Sequence, residues 1–310
     1  MLTNSLAQTQ PNSFLSIFAR YWLYPLLWLW TLFWLYYAYG QLDRLPEILA
    51  VKAVGMVGVL LLFEWLVPYR DNWGMTWRFL LRRDLIFIVV NGAFIGIFSY
   101  GFAYLALWIS ALTNGPLSGS SVWLQVIVAL LVFEAMQYGI HRIMHENGTS
   151  LTNWLWRTHS IHHLPQQLYV VMHAVGHSFN TVIIRLCVQL LPLWILGFDP
   201  FPVLISSSII ALHGTVSHLN IDMRIGWANY LFVGPELHRY HHSANTNEAV
   251  NFAATLSIYD LFFGTFLYKP GKPPEGLGLA AEDGYPGQVD PLASMLFPLS
   301  TQPVETSSVR

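Results

Sequence analysis

The chain has 310 residues, of which 54% are hydrophobic and only 10% are Asp, Glu, Lys or Arg. Soluble globular proteins carry about 25% of these charged residues, so the composition excludes an ordinary water-soluble enzyme and, for most of the chain, intrinsic disorder. The formal net charge of −2 leaves no basic surface for a polyanion, and we expect no nucleic-acid partner. The single cysteine, Cys187, excludes an intrachain disulfide and a thiolate metal site.

The N-terminus is polar and its first basic residue is Arg20. We therefore expect no cleavable signal peptide and a short disordered segment over residues 1–13. Four apolar stretches follow, each close to the length that crosses a bilayer core. They predict an all-α, polytopic membrane protein with about four transmembrane helices, over residues 21–39, 46–68, 85–112 and a stretch that starts near Ser121 and ends in the first histidine motif.

The arginines between the second and third stretches indicate an orientation. Loop 69–83 holds four arginines against one aspartate, whereas loop 113–120 holds no charge. Because basic residues accumulate in cytoplasmic loops, we expect the N-terminus, loop 69–83 and the residues that follow His141 to lie on the cytoplasmic side. The sequence thus predicts a multi-pass protein of a bacterial inner membrane or the endoplasmic reticulum, with its histidine cluster at the cytoplasmic face.

Residues 186–212 are apolar except for Asp199, and a Gly/Pro-rich break at 197–202 divides them. Each arm has about 12 residues, near 18 Å, which is too short to cross the membrane. We expect a helical hairpin that dips into the membrane or lies in its interface. The organisation predicted is an N-terminal transmembrane region (1–120), a catalytic domain (121–268) and a Pro/Gly-rich tail (269–310), irregular except for a short helix over 291–299.

All 12 histidines lie between His141 and His242, and most fall in three short motifs, HRIMH, HSIHH and HRYHH. On a helix, positions i, i+3 and i+4 share one face, so each motif offers two or three imidazoles to one point. Eight imidazoles exceed what one ion accepts and suit two metals of the Fe, Zn, Cu or Ni type. The candidate ligands from these motifs are His141, His145, His159, His162, His163, His238, His241 and His242.

A structural role for individual histidines is the alternative. A lone histidine in an apolar helix is usually a core residue, and this interpretation applies to His173 or His213 taken singly. Three clusters are a stronger signal, because burying eight neutral imidazoles without partners would cost on the order of several kcal/mol in total. A proton relay is also open, although it would not need clusters of three.

Residues 122–268 resemble the fatty acid hydroxylase/sterol desaturase superfamily of integral-membrane di-iron enzymes. The segments that carry the resemblance are FEAMQYGIHRIMH, LWRTHSIHHLP, SHLNI, PELHRYHHS and NFAATLSIYDLFFGTF. Tyr259 replaces the Trp that is usual in the last segment. The sequence around His177 keeps the histidine of the Arg-x-His-Pro-x-Glu element of the family and lacks its Arg, Pro and Glu.

The resemblance adds His177 and His218 to the candidate ligands. Glu134 lies two helical turns before His141, so we expect its carboxylate to accept an imidazole N–H and orient that ring, with a pore-side or interfacial acid as the alternative. Asp260 and Glu236 are further candidates for this supporting role, with helix capping or pairing with Arg239 as alternatives. We expect the neighbouring tryptophans to anchor the chain at the membrane interface rather than to take part in chemistry; they are Trp154 and Trp156.

The resemblance also implies two Fe ions, O2 as co-substrate and two external electrons, with Zn present only through mis-metallation. The predicted enzyme is an oxidoreductase that hydroxylates or desaturates a C–H bond of a fatty acyl, sterol or related lipid drawn from the bilayer. Residues 1–120 and 269–310 leave no room for a cytochrome b5-like or flavin domain, so we expect a separate electron donor of the cytochrome b5, ferredoxin or reductase type.

Two other functions compete with this prediction. The first is a membrane zinc hydrolase, whose sites usually keep three or four ligands per ion, often with a carboxylate. The second is a non-enzymatic heme- or metal-binding membrane protein, for which single histidines would face each other inside the spans. Within the enzyme class, no residue distinguishes hydroxylation, desaturation, sterol C-4 demethylation and ether-lipid cleavage.

Overall fold

The computed structural model describes residues 13–112, 115–146, 148–190, 192 and 195–300. These residues form helices and irregular segments without a β-strand, and their one isolated bridge joins Ser243 to Leu277. The all-α prediction is therefore confirmed. The disorder expected for residues 1–13 falls, apart from Ser13, outside the described residues.

Four helices and shorter helical turns make up the N-terminal part. Helix α1 (Phe14–Tyr21) begins where the Ser13 hydroxyl accepts the Ser16 N–H, and α2 (Leu23–Ala38) follows a break at Trp22. Helix α3 (Leu45–Leu66) has Pro46 in its first turn, where the missing N–H costs nothing. A short turn (Trp77–Phe79) and a π-helical segment (Leu80–Asp84) lead into α4 (Leu85–Leu112).

The histidine motifs lie at the C-terminal ends of three later helices. These are α5 (Val122–Met144), which begins at the Ser121 N-cap, α6 (Ser150–His163), which begins at a Thr149 capping box, and α9 (Pro235–His241). The helices between and after them are α7 (Ser178–Val182), which continues as a π-helix (Ile183–Leu190), α8 (Pro200–Val216), α10 (Ile258–Phe263) and α11 (Pro291–Leu296). The 3-10 segments include Val170–Ala174 and Gly226–Tyr230.

Two of the described helices, α3 and α5, are long and apolar enough to cross a membrane. In α3, the buried positions Ile48, Lys52, Met56 and Leu60 follow an i, i+4 stripe. Large apolar side chains outside this stripe are exposed, such as Val54 at 73%, and Trp123 near the start of α5 is 70% exposed. An apolar outer surface of this kind suits contact with lipid rather than water.

One of the four arginines in loop 69–83 is not available to the surrounding solution. Arg83 is buried, with its Nε 2.8 Å from Asp84 Oδ1, and its Nη2 donates to the Tyr169 hydroxyl at 2.6 Å. That hydroxyl in turn donates to Asp84 Oδ2 at 2.6 Å. The three exposed arginines of this loop are Arg70, Arg78 and Arg82.

The predicted break of the hairpin is present between the π-helix and α8. Gly197 adopts a φ of +68°, and a Cβ added there would lie 2.4 Å from the Gly115 Cα. A side chain at either position would overlap the other backbone, so this close approach requires glycine. Asp199 then accepts hydrogen bonds from the Gly119 N–H and the Gln125 side chain, which ties the hairpin to the start of α5.

The C-terminal tail has the short helix expected over 291–299, as α11 and a 3-10 turn, Phe297–Leu299. The tail also packs against the helix that carries the second histidine motif. Tyr285 and Phe297 are buried in one cluster with Trp156 and Ile161 of α6. This segment therefore forms part of the wall around the histidines.

Candidate metal centre

Nine histidines converge in two separate groups. Within each group the atoms that could bind a metal all lie within 4.8 Å of one another. The eight motif histidines and His218 are all included. The first group is His141, His145, His159, His163 and His241, and the second is His162, His218, His238 and His242.

Two of the helices contribute to both groups. In the α6 motif, His159 and His163 join the first group, whereas His162 joins the second. In α9 the assignment is reversed: His238 and His242 join the second group and the histidine between them joins the first. Because positions i and i+4 lie one above the other on a helix, each HxxHH motif sends its outer pair to one group and its middle histidine to the other.

The nitrogen spacing fits a metal-binding role. His159 Nε2 lies 2.9 Å from His141 Nε2 and 3.0 Å from His163 Nε2. In the second group, His218 Nε2 lies 3.1 Å from His162 Nε2 and 3.0 Å from His238 Nε2. Metal–imidazole bonds are about 2.0–2.1 Å long, so nitrogens at right angles around one ion lie about 3 Å apart. The donor sets of both groups therefore fit an ion of this type.

Two Nε2 atoms of the first group have no hydrogen-bond partner among the described residues although they are buried. They are His145 Nε2 and His241 Nε2. An unsatisfied buried polar atom costs about 1–3 kcal/mol, so its presence at the centre of a histidine group favours a ligand there. A metal ion bound by the group would satisfy both nitrogens.

Backbone carbonyls hold several rings in one tautomer. The Nδ1 atoms of His141, His162 and His241 lie 2.6, 2.7 and 3.2 Å from the carbonyl oxygens of Phe252, Val175 and Val250. A carbonyl can only accept, so each Nδ1 carries the proton and each Nε2 keeps its lone pair for a metal. Burial lowers the pKa of the His159 and His163 imidazoles well below the usual range, which keeps these rings neutral and able to bind metal.

Glu134 does not contact an imidazole, which differs from the expectation. Its two carboxylate oxygens accept the backbone N–H groups of Ala254, Thr255 and Leu256 at 2.7–2.9 Å. The carboxylate therefore fixes the segment that follows Phe252, the residue whose carbonyl holds His141. Glu134 acts on the site through this segment, because three consecutive amides offer a buried carboxylate more donors than one ring does.

The second acidic residue expected near the site holds the same segment. Asp260 accepts the N–H groups of Phe252 and Ala253 at 2.8 and 3.1 Å, and the hydroxyl of Thr265 at 2.7 Å. The Tyr138 hydroxyl of α5 lies 2.9 Å from that threonine hydroxyl. Hydrogen bonds from Glu134 of α5 and Asp260 of α10 thus hold the segment from Phe252 to Leu256, and we call this arrangement the carboxylate clamp.

Glu236 and Arg239 organise the loop between α8 and α9. Glu236 Oε2 accepts the Ile225 N–H at 3.0 Å and the Asn229 amide at 2.8 Å. The buried Arg239 donates to the carbonyls of Leu219 and Ile221, directly after His218. Neither residue bonds to an imidazole, and both position the chain that brings His218 to the second group.

Three further histidines lie outside both groups. His177, which the resemblance adds to the ligands, has Nε2 3.0 Å from the Met295 carbonyl and Nδ1 accepting the Phe179 N–H at 3.2 Å. His213 has Nδ1 2.9 Å from the Val233 carbonyl. The His173 ring lies 4.8 Å from the His218 ring, and its Nε2 accepts from Arg185 at 3.3 Å.

Trp156 is buried beside the first group instead of lying exposed at a membrane interface. Its ring centroid is 5.0 Å from that of His145 and 5.8 Å from that of His163, and its Nε1 donates to the Tyr285 hydroxyl at 3.0 Å. The sequence carried a signal for this position, because Trp156 precedes His159 by three residues and so shares its helix face. Trp154 is half-buried against Phe179.

Comparison with known proteins identifies relatives of this site. The fatty acid hydroxylase family matches residues 126–265, which include all nine grouped histidines. The chain is 32% identical over 227 residues to the ornithine lipid hydroxylase OlsE of Rhizobium tropici, covering 70% of this chain and 66% of that protein. It is 26% identical over 173 residues to the alkylglycerol monooxygenase of Homo sapiens, covering 53% of this chain and 35% of that protein.

A second alkylglycerol monooxygenase, from Danio rerio, is 27% identical over 158 residues, covering 48% of this chain and 32% of that protein. The chain thus spans between about a third and two thirds of the length of these relatives. No solved structure matches it. The relatives are a lipid hydroxylase and two monooxygenases, which are oxidoreductases. Together with the matched histidine motifs, they show that the chain belongs to the fatty acid hydroxylase superfamily.

Proposed function

We propose that the protein is a membrane-bound di-iron oxygenase that hydroxylates a C–H bond of a lipid. One oxygen atom of O2 would enter the C–H bond to give an alcohol, and the other would leave as water after two electrons and two protons are added. The observation that carries the proposal is the division of nine histidines into groups of five and four. Two irons held by these groups would supply the oxidising power that an unactivated C–H bond requires.

The names of the relatives favour hydroxylation over desaturation. One is a hydroxylase of ornithine lipid and two are monooxygenases of alkylglycerols. Both substrates are lipids, and an apolar helical base suits a substrate dissolved in the bilayer. We therefore assign a lipid substrate and oxygen insertion to this chain.

The side chains of the site prepare it for this chemistry. Carbonyl-bound Nδ1 atoms direct Nε2 of His141, His162 and His241 to the two groups. Burial keeps water away from eight of the nine grouped histidines, whereas His162 is partly exposed. We infer that a lipid would reach the second group on the side of His162, because this histidine is partly exposed.

We further propose that α2, α3, α4 and α5 all cross the membrane, with the histidines on the cytoplasmic side. The exposed arginines between α3 and α4 support this orientation, because basic loops stay in the cytoplasm. They are Arg70, Arg78 and Arg82. The two electrons would come from a separate donor of the cytochrome b5, ferredoxin or reductase type, which can reach a site on this side.

The composition of the groups opposes a zinc hydrolase. Among the described residues, both groups consist of histidine alone, whereas hydrolytic zinc sites keep three or four ligands and often include a carboxylate. A heme carrier would use single histidines that face each other. Two neighbouring groups of histidines suit a protein that binds a pair of metal ions better than they suit a zinc hydrolase or a heme carrier.

Metal analysis tests the proposal. Protein purified in a mild detergent should contain two irons per chain, His162→Ala should lose metal, and His213→Ala should keep it, because His213 is a buried histidine outside both groups. If zinc is found, iron reconstitution followed by lipid- and reductant-dependent oxygen consumption decides between the metals. Absence of stoichiometric metal in both conditions would overturn the proposal.

A further inference from the structure

Arg185 is an isolated charge in an apolar part of the chain. It is the one Asp, Glu, Lys or Arg residue between Arg157 and Asp199. It lies in the π-helix that follows α7, directly before the hairpin of residues 186–212 that is expected to contact the membrane, and it is exposed. π-Helical segments are frequent at functional sites. An arginine in such surroundings is costly unless it meets a partner, which makes a functional role the default hypothesis.

The contact of Arg185 connects it to the second histidine group. Its Nη2 donates to His173 Nε2 at 3.3 Å, and the His173 ring lies 4.8 Å from the ring of His218, a member of that group. His173 lies close to α8 because Gly214 has no side chain: a Cβ there would be 3.3 Å from His173 Cε1. The guanidinium thus lies one histidine away from the proposed metal ligands.

The Arg185 guanidinium has N–H donors available for a ligand. Within the part of the chain that the structure describes, its hydrogen-bond partner is His173, and no carboxylate lies within ion-pair distance. Its partner His173 and the grouped His162 are partly exposed, whereas the other eight grouped histidines are buried.

We propose that Arg185 binds the anionic oxygen group, a carboxylate or a phosphate, of the lipid that enters the second histidine group. A guanidinium offers a planar pair of N–H donors that matches such groups. The anion would also neutralise a charge that is costly in apolar surroundings. The inference rests on the proposed function, which makes the lipid a substrate, and the distance from this anchor to the histidines would then select the carbon that reacts.

A contact-quenching experiment tests this anchor. The purified full chain in a neutral detergent is titrated with three dibrominated probes of equal chain length: stearate, octadecyl phosphate and octadecanol. Bromine quenches tryptophan fluorescence on contact, so each titration yields an affinity without turnover. The variants are Arg185→Gln and Arg185→Lys, and the matched control is Arg44→Gln, because Arg44 is 58% exposed and contacts Glu47 at 3.4 Å.

The wild-type protein should bind at least one anionic probe about tenfold more tightly than the alcohol, the ratio expected from one charge-assisted hydrogen bond. The preferred anion identifies the carboxylate or the phosphate. Arg185→Gln should bind all three probes with similar affinity and the alcohol as in wild type, Arg185→Lys should retain part of the preference, and Arg44→Gln all of it.

Two outcomes overturn the inference: no anion preference in the wild type, or a preference that survives Arg185→Gln. If Arg185→Gln also loses affinity for the alcohol, its fold has changed, and the result for Arg185→Lys decides. Arg185→Lys keeps the positive charge. If it binds the alcohol as the wild type does but has lost the anion preference, the proposal is contradicted. Quenching needs neither iron nor oxygen. A failed metal assay and a failed anion preference are therefore separate results.

Discussion

At the scale of single residues, the hydrogen bonds that hold each ring separate His177 from the candidate ligands. His141, His162 and His241 use Nδ1 to bind a backbone carbonyl and turn Nε2 toward their group. In His177, by contrast, the Met295 carbonyl and the Phe179 N–H occupy both nitrogens. A histidine with both nitrogens engaged has no lone pair to offer a metal.

This difference predicts opposite effects of two substitutions on metal content. His218→Ala should lose metal from the second group, because its Nε2 lies 3.0–3.1 Å from two other Nε2 atoms. His177→Ala should keep the wild-type metal content and lose about 1 kcal/mol of stability, because His177 accepts the Phe179 N–H as the N-cap of α7. Metal analysis and thermal unfolding of the purified variants measure both quantities.

The control for the His218 and His177 substitutions is a third variant that should keep the wild-type metal content. His213 is buried and lies outside both groups, so His213→Ala should retain its metal. If His177→Ala loses metal while His213→Ala keeps the wild-type metal content, His177 is a metal ligand, as the family resemblance implies.

At the scale of elements, the site depends on how α5, α6 and α9 meet one closing segment. Helices α6 and α9 each supply both groups, so the two groups are built together. The segment from Phe252 to Leu256 lies against them and is held by buried carboxylates of α5 and α10, Glu134 and Asp260. Five backbone N–H groups of this segment are thereby satisfied without a regular secondary structure.

This clamp predicts that Glu134→Gln destabilises the protein by about 2–4 kcal/mol, since a carboxamide has one accepting oxygen and its NH2 would face a backbone N–H. Thermal unfolding in detergent measures the effect. Because the segment carries the carbonyl that holds His141, metal affinity should also fall.

The matched control for this substitution is Glu47→Gln in α3. The Glu47 side chain is 71% exposed and contacts Arg44 alone among the described residues, so its change should cost less than about 1 kcal/mol. Equal melting temperatures for Glu134→Gln and wild type would show that the clamp does not stabilise the fold.

At the scale of the whole molecule, the proposed topology separates two loops across the membrane. The loop between α3 and α4 carries the exposed arginines and should face the cytoplasm, and the loop before α5 should face the opposite side. Asn72 and Ser118 are exposed positions in these loops. Cysteines at these positions, in a Cys187→Ser background, would report the side of each loop.

In intact cells, a membrane-impermeant maleimide should label the Ser118→Cys protein and leave the Asn72→Cys protein unlabelled. Both should react after permeabilisation, which controls for the reactivity of each thiol. The reverse labelling pattern would invert the orientation, and equal labelling of both proteins before permeabilisation would exclude an odd number of crossings between the loops.

Much of the fold was predictable because its determinants are local. Apolar stretches of bilayer length predicted helices where α2, α3, α4 and α5 lie, and the Gly/Pro break predicted the turn before α8. The spacing of the three histidine motifs predicted which imidazoles would share a face. These inferences need only composition and the 3.6-residue period of a helix.

Other features depended on tertiary packing, since their partners are distant in sequence. The sequence alone determined the helical class, the apolar segments, the histidines available and the family. Only the tertiary structure decided that the histidines divide into five and four, that Glu134 holds Ala254–Leu256, that His177 binds Met295 and that Trp156 lies beneath the tail. The helical period determines the face on which a side chain lies, but the packing of that face against a segment some hundred residues away determines what the side chain contacts.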